Sequence, residues 1–224
     1  VRQMLDRTRY ASPVLKPVDL DQVLRDIFDA MAPALNERRV ELRFTVAHDL
    51  PKINGDADRL QQAFINLINN ALDAMPQGGE LRVTTSVRRN AENGEDGVAV
   101  ELADTGVGMT PEVLAHIFDP LYTTKQRGRG TGLGLVVVRQ VVAEHRANIE
   151  VDSRPNEGAS FTLTFPVTPA VASGATSARA SFAAVGEQHN AEPGELNGAA
   201  TAETAVELRV QQAARHSAAR ARGR

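Results

Sequence analysis

Short stretches in which apolar and polar residues alternate recur along this chain, and each yields one apolar face: Val40, Leu42, Phe44 and Val46; Leu81, Val83, Thr85 and Val87; Val98, Val100 and Leu102; then Phe161, Leu163, Phe165 and Val167. Successive side chains of an extended strand point to opposite sides, so these read as half-buried strands, with a further strand around Ile149 and Val151. Strands that are wet on one face need a common cover on the other. Helical periodicity supplies it in the intervals. Asp19 is an N-cap with Gln22 three residues on, and Leu20, Val23, Leu24, Ile27, Phe28, Met31 and Leu35 then repeat at i, i+3, i+4. Further helices run from about Asp56 to Met75 and from about Thr131 to His145. One sheet with helices on one side satisfies all of these faces, which predicts an α+β chain of two layers.

Composition excludes several classes. A net charge of -3 offers no broad basic surface, which argues against nucleic acid as a partner. The chain has no Cys, so disulfides, structural zinc thiolates and thiol nucleophiles are excluded together. No stretch approaches the roughly 20 apolar residues that span a bilayer, and no signal peptide opens the chain. The expectation is a cytoplasmic module, with any membrane attachment supplied from elsewhere. Position 1 is Val and not Met, which points to a piece of a longer polypeptide. Residues 1–15 read as the end of a helix, with Val1, Leu5 and Thr8 at helical spacing and Pro13 and Pro17 stopping it; a plain surface helix accounts for them equally. Residues 16–168 form the globular unit. From Pro169 onward Ala, Gly, Ser, Thr and Glu dominate with few large apolar residues, so residues 169–224 read as a disordered tail.

Three segments carry chemistry. On the helix from Asp56, the apolar residues Leu60, Phe64, Leu67, Ile68, Ala71, Leu72 and Met75 mark the sheet-facing side. At about 100° per residue, Gln62, Asn66, Asn69, Asn70 and Asp73 gather on the opposite side. A polar face ordinarily means solvent, but asparagine is a poor helix former, and three of them in five residues ask for another reason. Hard oxygens beside a triphosphate suit Mg²⁺. Asp104-Thr105-Gly106-Val107-Gly108 directly follows a strand, and its glycines let the backbone approach a flat ring. A carboxylate there can accept a hydrogen bond from an amino group such as that of adenine, where guanine would present a carbonyl oxygen. Taken alone, an ordinary Asp-x-Gly turn explains it as well. The run Gly128-Arg129-Gly130-Thr131-Gly132-Leu133-Gly134-Leu135 precedes an apolar helix, whose positive end faces whatever the glycines admit. It is neither a P-loop nor a dinucleotide-binding fingerprint.

Asn66-Leu67-Ile68-Asn69-Asn70-Ala71, Asp104 to Gly108, Phe118-Asp119-Pro120-Leu121-Tyr122-Thr123-Thr124-Lys125 and the glycine run, in this order, resemble the N, G1, F and G2 boxes of the histidine-kinase catalytic domain. That domain belongs to the superfamily of gyrase, the Hsp90 chaperone and the MutL mismatch-repair protein. Asn156-Glu157-Gly158-Ala159-Ser160-Phe161 resembles the family's last glycine-containing box, with Ala159 and Ser160 where Thr is usual. The resemblance covers about residues 1–168. It implies the Bergerat ATP-binding fold: a two-layer α/β sandwich with a mixed, mainly antiparallel sheet and helices on one face. It also implies ATP and Mg²⁺ as cofactors, with Asn70 the metal ligand and Asn66 assisting. Asp104 would read adenine, and Gly106, Gly108, Gly132 and Gly134 would admit the nucleotide. Asp73, Thr124, Gly130, Thr131 and Leu133 would complete the nucleotide site, and residues 109–130, a short helix followed by a polar stretch, would hold a mobile lid. Lys125 and Asn66 are the implied catalytic residues, Lys125 by neutralising terminal phosphate charge.

The hydrolases of the superfamily carry a Glu one turn before the metal-binding Asn. An amide cannot take that proton, so Asn66 implies a site that holds ATP without rapid hydrolysis. None of His48, His116, His145, His189 or His216 has the context of a phosphoacceptor. The resemblance therefore implies a transferase that phosphorylates a histidine on a separate dimerisation domain, in a homodimeric parent serving a response regulator. A serine kinase or slow ATPase of the same fold, and a nucleotide-gated binding module, are the alternatives.

Overall fold

The computed structural model describes residues 13–89, 96–125 and 130–167. The expected helix end before residue 13, the tail from residue 169, and Arg127 and Arg129 lie outside the described residues. In chain order the elements are β1 (Lys16–Val18), α1 (Leu20–Glu37), β2 (Val40–Thr45), β3 (Ile53–Gly55), α2 (Ala57–Ala74), β4 (Gly79–Arg89), β5 (Asp96–Asp104), α3 (Pro111–Leu114), α4 (Gly134–Glu144), β6 (Asn148–Ser153) and β7 (Ala159–Pro166). The main sheet has five strands in the order β2-β4-β5-β7-β6. β2 runs parallel to β4, and every other neighbouring pair is antiparallel.

Capping and periodicity place the helices. Asp19 accepts from the N–H groups of Asp21 and Gln22 at 3.1 and 3.3 Å and starts α1, whose buried face is Leu20, Leu24, Ile27, Phe28 and Leu35. Asp56 caps α2 by accepting from the Arg59 N–H at 3.2 Å. The apolar face of α2 then meets the sheet, with fully buried Phe64 lying edge-on to Phe165 of β7 at 6.3 Å. At the front of the sheet, Asp104 ends β5 between Leu81 of β4 and Ala159 of β7. This register brings a strand end, a hairpin and the last turns of α2 to one place.

Three expectations need correction. β2 ends at Thr45, so Val46 lies beyond the strand. Val87 is 48 % exposed although it alternates correctly, because β2 pairs with β4 only as far as Thr84 and leaves the rest of β4 at an edge. The helix expected from Thr131 begins at Gly134, since Gly132 has φ +64° and cannot continue a right-handed turn. A small antiparallel pair, β1 with β3, was not foreseen. Three residues each are too few to show a period, yet Val18 and Ile53 are both buried there.

His145 joins the two helices that carry the glycine run and the amide face. It is 4 % exposed at the C-terminal end of α4, and its Nε2 accepts the backbone N–H of Asp56 at 2.9 Å. The other nitrogen, Nδ1, must then carry the hydrogen and donates to the Val141 carbonyl at 2.7 Å. The ring stands at 88° to Phe165. His145→Phe, which leaves the Asp56 N–H unpaired, is expected to lower stability by about 1–3 kcal/mol in denaturant unfolding. An unchanged midpoint would show that this bond contributes nothing.

Candidate nucleotide site

A cavity of about 410 Å³ lies between α2, the end of β5, the loop after it, residues 122–125 and the start of α4. The α2 register explains the first wall. Asn66, Asn69, Asn70 and Asp73 stand at i, i+3, i+4 and i+7, so packing the apolar face on the sheet turns all four toward the cavity. Gln62, a turn earlier, is exposed and does not line it.

The second wall is built around Asp104. Its Oδ1 accepts from the N–H groups of Gly106 at 2.8 Å and Ala159 at 3.3 Å. The other oxygen, Oδ2, accepts nothing among the described residues and is available to a ligand's N–H. Burial raises the Asp104 carboxyl above the ordinary aspartate range, while the two backbone donors pull it partly back. The loop that follows is clamped from behind. Asn156 donates its N–H to the Val107 carbonyl at 2.7 Å, Met109 donates to Ser153 Oγ at 2.9 Å, and that hydroxyl donates to the Gly158 carbonyl at 2.7 Å. Gly108 has φ +63°, and a Cβ there would strike the Arg154 carbonyl oxygen.

The remaining wall is the segment before α4. Its ends are closed by the Leu121 N–H donating to the Gly132 carbonyl at 3.0 Å, with Gly132 packed against the Leu121 backbone. Lys125 Nζ reaches across the cavity to Asp73 Oδ2 at 2.6 Å and Asn70 Oδ1 at 3.2 Å. Among the described residues no side chain caps the N-terminus of α4, so its first-turn N–H groups keep hydrogen-bonding capacity beside Gly134 and Leu135 of the lining.

Of the residues expected from the sequence, Asn66, Asn70, Asp73, Asp104, Gly108, Thr124, Lys125, Gly130, Thr131, Gly132 and Gly134 line this one cavity. Gly106 and Leu133 do not. Gly106 sits behind the wall, where a Cβ would come 2.6 Å from the Ala74 carbonyl oxygen, so it lets the loop close onto α2. Leu133 is 44 % exposed outside the cavity. Sequence reasoning missed the apolar walls: Met109, Val113, Ile117 and Phe161. The short helix expected within residues 109–130 is α3, and the spacing of Val113 and Ile117 at i, i+4 was the signal for its apolar side.

Residues 55–169 match the family described as histidine kinase-, DNA gyrase B-, and HSP90-like ATPase. The sensor histidine kinase ZraS of Escherichia coli (strain K12) is 38% identical over 167 residues, covering 75% of this chain and 34% of ZraS. Sporulation kinase E of Bacillus subtilis (strain 168) is 37% identical over 146 residues, covering 65% of this chain and 19% of that protein. This chain thus spans about a third or less of these curated relatives. Full-length ShkA in complex with AMPPNP superposes with a TM-score of 0.61 at 31% identity, over 72% of this chain and 33% of ShkA. The nucleotide-free catalytic domain of the histidine kinase ThkA gives 0.59 at 26% identity, over 69% of this chain and 97% of that one.

Asp104→Asn preserves the acceptor for Gly106 and Ala159 and removes a desolvated charge. A carboxyl raised in the fold binds its proton more tightly folded than unfolded, so its contribution to stability is lost as pH rises through that raised value. Melting temperatures are expected to move in the variant's favour from acid to neutral pH, relative to the parent. A difference constant with pH would contradict the assigned burial.

Proposed function

The chain belongs to the family of histidine kinase-, DNA gyrase B- and HSP90-like ATPases, and from that premise we propose that it supplies the ATP-binding catalytic part of a two-component sensor histidine kinase. In this reading it transfers the γ-phosphoryl group of Mg-ATP to a histidine on a separate helical domain of its parent. The observation that carries the reading is that one cavity gathers two kinds of group: an aspartate with a spare oxygen and apolar side chains, and amide oxygens, a lysine and a helix N-terminus without a side-chain cap. The first set suits a purine with an exocyclic amino group. The second suits phosphates.

Residue roles follow from that arrangement. Asp104 Oδ2 accepts from the adenine amino group, and Met109, Val113, Ile117 and Phe161 take the faces of the ring. Gly108 and Gly132 let the loops around the site close, Gly108 onto the Arg154 carbonyl and Gly132 onto the Leu121 backbone. Asn66 and Asn70 present neutral oxygens on one helix face, and Asn70 Oδ1 already accepts a cation, the Lys125 ammonium. Among the described residues no group of three or more His, Asp or Glu gathers to hold a metal by side chains alone. That donor set fits Mg²⁺, which retains waters and shares its remaining positions between few protein oxygens and substrate phosphates, so Asn70 and Asn66 would hold it. When bound it supplies neutralisation of phosphate charge. Lys125, with Thr124, Gly130 and Thr131 around it, adds a point charge at the terminal phosphate, and phosphoryl transfer needs little beyond such positioning and charge. Asn66 cannot act as a general base toward water, which favours storage of ATP over hydrolysis.

For the parent protein we propose residues 1–15 as the end of a dimerisation hairpin and its linker, and residues 16–168 as the catalytic unit. A homodimeric parent, a response regulator downstream and a cytoplasmic site, with or without membrane tethering, complete the reading. Among the described residues no helix is long and apolar enough to cross a membrane.

Two measurements test this. The chain is expected to bind Mg-ADP over Mg-GDP in calorimetry, and Asp104→Asn to weaken Mg-ADP by about 10- to 100-fold, as loss of a charged hydrogen bond predicts; equal affinity for the two nucleotides would remove Asp104 from base recognition. Incubated with γ-labelled ATP, the chain alone is expected to take up almost no phosphate, and addition of a hairpin domain from its parent to give label that is lost in acid. Acid-stable label on the isolated chain would point to a serine kinase instead.

A further inference from the structure

We propose that Asp73 is a positioning residue that sets nucleotide affinity through Lys125: it holds the lysine ammonium across the cavity on the Asn70 carbonyl oxygen, and the Mg-nucleotide binds only when that contact opens. The inference rests on the nucleotide reading above and assigns Asp73 a role opposite to that of a ligand contact.

Asn70 and Asp73 stand at i, i+3 on α2, so one turn presents a neutral oxygen and a carboxylate side by side. Lys125 Nζ sits on both, 2.6 Å from Asp73 Oδ2 and 3.2 Å from Asn70 Oδ1. An isolated surface ion pair contributes little, but this one is constrained from three directions. Arg38 Nη1 lies 3.7 Å from Asp73 Oδ1 on the far side of the carboxylate. The Lys125 backbone N–H donates to Thr123 Oγ1 at 3.2 Å, which fixes where the side chain departs. Its stem passes so close to Gly130 that a Cβ there would come 3.1 Å from Lys125 Cδ.

The ammonium therefore occupies the oxygen that we assign to Mg²⁺. Two cations on one amide oxygen repel, so Lys125 on Asn70 and Mg²⁺ on Asn70 are alternatives. A protein that spends much of its time in the first arrangement binds with an affinity reduced by the fraction in the second. Removing Asp73 weakens the first arrangement and leaves Lys125 free to meet phosphate.

A double-mutant cycle on Mg-ADP binding by calorimetry tests this with parent, Asp73→Asn, Lys125→Met and the double variant, each checked for folding by thermal melting. Asp73→Asn is expected to tighten Mg-ADP by about threefold or more when Lys125 is present and to change nothing in the Lys125→Met background. An equal effect in both backgrounds would mean that Asp73 acts by its own charge, and weaker binding in the parent background would mean that it contacts the ligand; either overturns the proposal. In the nucleotide-free chain, the Lys125 ammonium resonance is expected to be observable by nitrogen NMR while it is held by two acceptors, and to vanish on Asp73→Asn. Its persistence would also overturn the proposal. If no protein in the set, the parent included, binds Mg-ADP, the nucleotide reading itself fails, whereas binding by all with additive effects removes only the role of Asp73.

Discussion

The packing of α2 on the sheet is the constraint from which the site follows. Leu60, Phe64, Leu67, Ile68, Ala71 and Leu72 are all buried on one face, and with 3.6 residues per turn, to a good approximation, their burial leaves Asn66, Asn70 and Asp73 no freedom to point elsewhere. A truncation such as Phe64→Ala, which costs about 3–5 kcal/mol in a packed core, would disturb the amide face as surely as it disturbs the core. Site and core are two faces of one helix. The clip from His145 to the N-cap of α2 extends this dependence to α4, so the helix bearing the amides and the helix following the glycine run are held at a common point.

Charge within the cavity is arranged by the same economy. Asp104 is pushed toward its neutral form by burial and kept useful by two backbone donors on a single oxygen, which leaves the second oxygen for recognition. Asp73 is more exposed and lies between two cations, Arg38 and Lys125. In the proposed reading the first carboxylate meets a neutral donor, while the second holds the Lys125 ammonium. Their different surroundings, not their common chemistry, separate these roles.

Much of this was legible in the sequence, for identifiable reasons. The amide face of α2 and the glycines flanking Asp104 are local patterns, and periodicity alone places their side chains relative to the backbone. The strands of the main sheet were legible because each has a repeated apolar side. What escaped depends on neighbours distant in the chain. Val87 alternates like a core residue yet is exposed because β2 ends opposite Thr84, and nothing in the local sequence records where a neighbouring strand stops. Gly106 reads like Gly108 but packs behind the wall against Ala74. The pairing of β1 with β3, the bond from His145 to Asp56 across 89 positions, and the reach of Lys125 to Asp73 across 52 are all products of tertiary closure.

If one cavity holds a base at Asp104 and phosphates beside the start of α4, amide chemical shifts resolve the two positions directly. Titration of the nitrogen-labelled chain with adenosine is expected to move the resonances of Gly106 and Ala159 and leave Lys125 and Gly134 in place, while Mg-ADP moves both sets. Shifts at Gly134 with adenosine alone, or none at Gly106 and Ala159 with either ligand, would contradict it.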